Sequence, residues 1–181
     1  MGTLRATGFS ALLTALLATT AFAQQAQTRQ GFWIGGGMGY GSMGLGCSSC
    51  AGVGREGSVT GYVKLGGTLR QNILLGVESN VWTKSAGTGR VTMGNFSGAA
   101  YWYPMATQGL FLKGGAGYSR LAVGDGTSTA SDGGFGILGG VGYDIRAGRN
   151  LSITPVANWY RGAFNGGSAN VLDFGIGITS H

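Results

Sequence analysis

Between positions 133 and 146 the odd residues Phe135, Ile137, Val141, Tyr143 and Ile145 are large and apolar, and the even residues Gly136, Gly140, Gly142 and Asp144 are small or charged. That is the period of a β-strand with one greasy and one tight, polar face. Four residues, 147–150, make a turn. Leu151, Ile153, Ala157 and Trp159 then alternate with Ser152, Thr154, Asn158 and Tyr160, so the chain folds back as a hairpin. The same alternation recurs along the chain with no helical periodicity to cover the apolar faces. Those faces need an apolar partner from outside the chain, and lipid supplies one.

The other strands follow from the same period. Alternation predicts strands over 31–45, 58–69, 73–85, 90–103, 109–123, 133–146, 151–161 and 171–179. In the last, Leu172, Phe174, Ile176 and Ile178 oppose Asp173, Gly175 and Gly177. Segments of this kind approach the length that crosses a bilayer at a tilt. The connections 46–57, 124–132 and 162–170 read as the longer loops, and 70–72, 104–108 and 147–150 as short turns; 86–89 is short for its side. An even number of strands lets the last close on the first, which removes edges whose backbone groups would otherwise be unpaired in hydrocarbon. The fold expected is an all-β, eight-stranded, antiparallel up-and-down transmembrane barrel, with an interior wide enough only for side chains. Pro155 falls inside the seventh strand, where its missing N–H predicts a bulge or local break.

Composition supports this reading where it bears on it. Glycine makes up 39 of 181 residues, yet there are two prolines, no G-X-Y repeat and an apolar fraction of 43%. Collagen and disorder are therefore poor descriptions. The formal charge of +6 is spread over strands and turns without a Lys/Arg cluster, which argues against nucleic-acid binding.

The N-terminus sets the compartment. Arg5, the apolar run from Ala11 to Ala18 and the small-x-small sequence Ala21-Phe22-Ala23 form the three parts of a secretory signal peptide over 1–23. The apolar run is too short for a membrane-spanning helix. A short polar leader, 24–30, precedes the barrel, 31–181. With the N-terminus in the periplasm, the short turns are periplasmic and the longer loops extracellular.

The residues 31–41 (GFWIGGGMGYG), the Tyr103-Pro104 strand end and the closing run 173–178 (DFGIGI) resemble the small bacterial outer-membrane β-barrels related to the OmpA membrane domain, OmpX and the opacity proteins. The resemblance lies in pattern, not in a catalytic motif. It implies residence in the bacterial outer membrane as a monomer and passage through the outer-membrane assembly machinery. Members commonly end on an aromatic residue that this machinery reads, whereas this chain ends Thr179-Ser180-His181.

Lys64, Glu78, Lys113, Asp144, Arg146 and Asp173 fall on the small or polar faces of their strands. A basic residue at the bilayer midplane costs roughly 2–4 kcal/mol, so these charges are expected inside, paired as a salt-bridged plug or lining a polar path for a small solute. Phe32, Tyr101, Tyr103 and Tyr143 lie toward one end of the strands and Trp82, Tyr118, Phe135 and Trp159 toward the other, which reads as two aromatic girdles at headgroup level. Arg55, Lys84, Arg90 and Arg120 fall near the outer rim, in reach of water and of lipopolysaccharide phosphates. Cys47 and Cys50 share an exported loop, where a local disulfide is favoured over a metal site or a redox motif.

No cofactor is implied. The one histidine is His181, the last residue, and there is no G-x-S-x-G elbow, so the general base that a serine nucleophile needs is missing and an enzyme is not expected. The expected role is structural or surface-interacting, through the extracellular loops. The alternative is a narrow porin-like channel for small or hydrophobic solutes.

Overall fold

The computed structural model describes residues 29–47, 54–125 and 127–181. The signal peptide over 1–23, most of the leader and Cys50 lie outside these residues. Nine strands follow in order: β1 (Phe32–Gly46), β2 (Glu56–Arg70), β3 (Ile73–Ala86), β4 (Gly89–Trp102), β5 (Leu110–Gly124), β6 (Thr129–Tyr143), β7 (Ile145–Arg146), β8 (Leu151–Phe164) and β9 (Gly167–Ser180). Each pairs antiparallel with its neighbours, and β9 closes on β1 from Ile34↔Ser180 to Gly46↔Ser168. β6 and β7 are one wall strand interrupted at Asp144, so the barrel has eight staves.

The interruption faces Pro155. The ladder between β6 and β8 stops at Gly142↔Val156 and resumes in the same register at Ile145↔Ile153. On its other side Pro155 stays paired with Ile176 in an unbroken ladder. A residue without an N–H cannot complete both ladders, and the wall yields on one side only.

Alternation sorts side chains between outer wall and lumen as the period requires. In β9, Leu172, Phe174, Ile176 and Ile178 are exposed and Asp173 is buried. β4, whose alternation is weak in sequence, turns Phe96 and Trp102 outward and buries Met93, Asn95, Ser97, Ala99 and Tyr101. Leu138 is the one large side chain on the inner face of β6, at 4% exposure. It stands among the glycines that make that face look uniformly small.

One expected loop proves to be strand around a tight turn, and a second is shorter than expected. β8 and β9 continue to a two-residue hairpin turn at Asn165-Gly166, with Gly166 at φ 91°, so 162–170 is not a loop. Asn-Gly is the strongest short hairpin signal, because such turns need positive φ. The 124–132 segment likewise shrinks to 125–128. Strands of 14 or 15 residues exceed the roughly 9–11 that cross a bilayer. At the end away from the termini the strand ends form a β-rim, and 47–55 is the longest connection there.

Candidate functional site

The lumen and its mouth are the first candidate, because they hold every buried charge among the described residues. Lys64, Glu78, Lys113, Asp144 and Asp173 are all buried there. Lys113 Nζ lies 2.5 Å from Glu78 Oε1, and the other carboxylate oxygen of Glu78 accepts a hydrogen bond from Tyr101. Lys64 is directly opposite Glu78 in the β2–β3 register. Its ammonium nevertheless points at rings, 5.1 Å from the centroid of Phe111, 5.3 Å from Tyr101 and 5.8 Å from Trp33. These are cation–π distances. Asp173 accepts from the Asn158 amide at 3.0 Å.

Asp144 organises the mouth near the termini. It accepts from the hydroxyls of Tyr103 at 2.8 Å and Thr154 at 2.7 Å, and His181 Nε2 stands 3.5 Å away. Arg29, the end of the leader, is fully buried: its guanidinium stacks 3.5 Å from the Tyr103 centroid and donates to the carbonyls of Ala106 and Gln108. No feature of the sequence marked Arg29, since a leader reads as solvent-exposed. Arg146 does not join the cluster. It is half-buried near the same mouth, and its Nε and one terminal nitrogen have no hydrogen-bond partner.

The aromatic girdles need correction. Phe32, Tyr118, Phe135, Tyr143 and Trp159 face outward, but Trp82, Tyr101 and Tyr103 are each 1% exposed and point into the lumen. Strand parity overrides position along the strand: Trp82 shares a face with Glu78 and Asn80, and Tyr101 and Tyr103 share one with Ser97 and Ala99. Tyr40, Phe96, Trp102 and Phe174 are outward aromatics in their place.

Above the charged layer a buried polar layer of Asn80, Asn95, Ser97 and Ser119 comes first, and the lumen becomes apolar beyond it. Trp82 and Met93 are register partners on β3 and β4, and Trp82 Nε1 donates to the Gly41 carbonyl at 3.1 Å. Across the barrel Met43, Val171 and Tyr160 form a second buried row on β1, β9 and β8. Glycines make the lower lumen fillable. A Cβ at Gly177 would sit 2.2 Å from the Tyr62 hydroxyl and one at Gly37 2.8 Å from its ring, so these two glycines form the slot that Tyr62 occupies.

At the rim, Cys47 is disulfide-bonded. Lys84 pairs with Glu56, and Arg55, Arg90, Arg120 and Arg161 are exposed. Among the described residues no three His, Cys, Asp or Glu side chains gather to hold a metal.

No family model matches the sequence, and no curated protein does. Solved structures do. Neisserial surface protein A superposes with a TM-score of 0.64 at 14% identity, covering 85% of this chain and 99% of its own. Ail of Yersinia pestis, crystallised with the heparin analogue sucrose octasulfate, superposes with a TM-score of 0.57 at 10% identity, covering 83% and 99%. Ail crystallised without that analogue gives a TM-score of 0.51 at 12% identity over the same shares. The chain has the fold of the small outer-membrane β-barrels.

Proposed function

We propose that this chain is a monomeric outer-membrane barrel whose lumen is closed and whose role is structural or surface-interacting, exercised by the β-rim and the 47–55 connection. The observation that carries this is the filling of the lumen in two layers. The Glu78–Lys113–Tyr101 cluster with Lys64 on its rings lies below, and the Trp82–Met93 and Met43–Val171–Tyr160 rows lie above. Rings around the charge pair and apolar side chains toward the rim support a closed lumen, with Asn80, Asn95, Ser97 and Ser119 buried between them. The exposed apolar wall fits a bilayer, and the signal-peptide pattern fits export, with the termini on the periplasmic side. Lipid, including lipopolysaccharide, and the outer-membrane assembly machinery are the partners this reading needs. No reaction is assigned to it.

Planar-bilayer recording tests the closed lumen. The refolded protein should give no reproducible conductance steps. Steps that a bulky substitution at Gly140 or Gly177 abolishes would favour the narrow channel instead.

A further inference from the structure

Among the rim cations, Arg55 and Arg161 form a site on the outer wall of β8, β9 and β1. Arg55 bends back from the connection before β2 and lies over Gly44, where an added Cβ would meet its guanidinium at 2.6 Å. It donates to the Ser42 hydroxyl at 3.0 Å and to the Asn170 side-chain oxygen at 2.7 Å. Arg161 is the register partner of Asn170 and donates to the Ser168 hydroxyl at 3.2 Å. Two guanidinium groups thus flank one asparagine on the lipid-facing side of the wall, held by neutral groups.

No carboxylate neutralises them. The chain has six acidic residues, all among those described. Glu78, Asp144 and Asp173 are buried in the lumen. Glu56 pairs with Lys84. Asp125 accepts from the backbone of Thr127 and Ser128, and Asp132 from that of Gly133. The next outward residues toward the midplane are Tyr40, Leu172 and Trp159, which are 63%, 43% and 38% exposed. The positive pair therefore stands directly above an apolar, aromatic surface, with charge where headgroups lie and apolar side chains where acyl tails lie.

We propose that Arg55 and Arg161, on either side of Asn170, bind the phosphate monoester of a lipid headgroup, of the kind carried by a phosphorylated glycolipid. The assignment rests on the membrane-embedded reading given above. A phosphate monoester carries close to two negative charges near neutral pH, matching two guanidinium groups, and arginine presents paired donors to phosphate oxygens. A soluble anion would have no use for the apolar surface beneath. The lipid source is favoured for that reason.

The test is native mass spectrometry of the full chain refolded in detergent, with bis-phosphorylated lipid A or the same glycolipid after removal of its phosphates. A heat-modifiable gel band is checked on each sample. The wild type should retain the phosphorylated form at least about tenfold better, the size of one charge-assisted contact. The double variant Arg55→Gln/Arg161→Gln should lose that preference, and Arg149→Gln, at the opposite end of the barrel, should keep it. Equal retention of the two glycolipids by a wild type that shows the folded band overturns the site and leaves the barrel standing. So does an unchanged preference in the double variant, or complete competition by inorganic phosphate. The comparison of glycolipids on the wild type needs no variant to fold. A wild type without the folded band overturns the barrel reading and the site with it.

Discussion

Glu78 sits inside the wall of β3 with its carboxylate satisfied from two directions, by the Lys113 ammonium and the Tyr101 hydroxyl. Removing one partner of a buried ion pair strands the other. Lys113→Met should therefore destabilise the barrel by about 3–5 kcal/mol, whereas Lys113→Met with Glu78→Gln should recover most of that loss. Urea titrations of refolding into lipid vesicles measure both, and equal losses for the single and double variants would remove the pair from the account. That Glu78 and Lys113 point inward was legible from strand parity alone. Their pairing was not, because Lys64 is the cross-strand neighbour of Glu78 and its ammonium goes to the rings of Trp33, Tyr101 and Phe111 instead. Which cation reaches which carboxylate depends on how side chains cross a closed lumen. Trp82, Tyr101 and Tyr103 teach the complementary point, since an aromatic near a strand end belongs to a girdle only if its parity faces lipid.

The closing strand β9 carries the sharpest contrast between faces. Ile176 is 63% exposed on the wall, and Ile176→Arg should cost on the order of 2–4 kcal/mol near the midplane. Gly175→Arg should fail for a different reason: even a Cβ there meets the Met38 carbonyl oxygen at 2.7 Å, so the loss is overpacking. Asp173→Asn should be mild, about 1 kcal/mol or less, because the contact it disturbs is a single hydrogen bond from Asn158. Refolding stability of the three variants in vesicles distinguishes them, and a harmless Ile176→Arg would turn β9 away from the membrane. At this scale the alternation in sequence located every wall strand; Pro155 foretold a break, but in its own strand, and the structure keeps β8 continuous and puts the break in the neighbouring strand at Asp144. The extent of β8 and β9 was hidden by polar residues in 162–170, which suit a rim standing in water as well as they suit a loop. Asn165-Gly166 was the available sign.

As a whole the molecule inverts the arrangement of a soluble sheet, with apolar side chains outside, charges and hydroxyls within, and no free edge between β9 and β1. Closure and alternation together require the exposed apolar band to be covered by lipid, since an uncovered band of this extent would drive aggregation. The closed, alternating wall could be read from the sequence. The cluster at the mouth could not, because it depends on Arg29 reaching Asp144 and Tyr103 from outside the strand pattern. The most direct measurement is gel mobility of the mature chain, with and without heating, after refolding in the presence and absence of lipid vesicles. A lipid-embedded barrel predicts a vesicle-dependent band that shifts on heating and no folded species in plain buffer. A monodisperse, folded chain in buffer without lipid or detergent, with mobility that heating does not change, would contradict it.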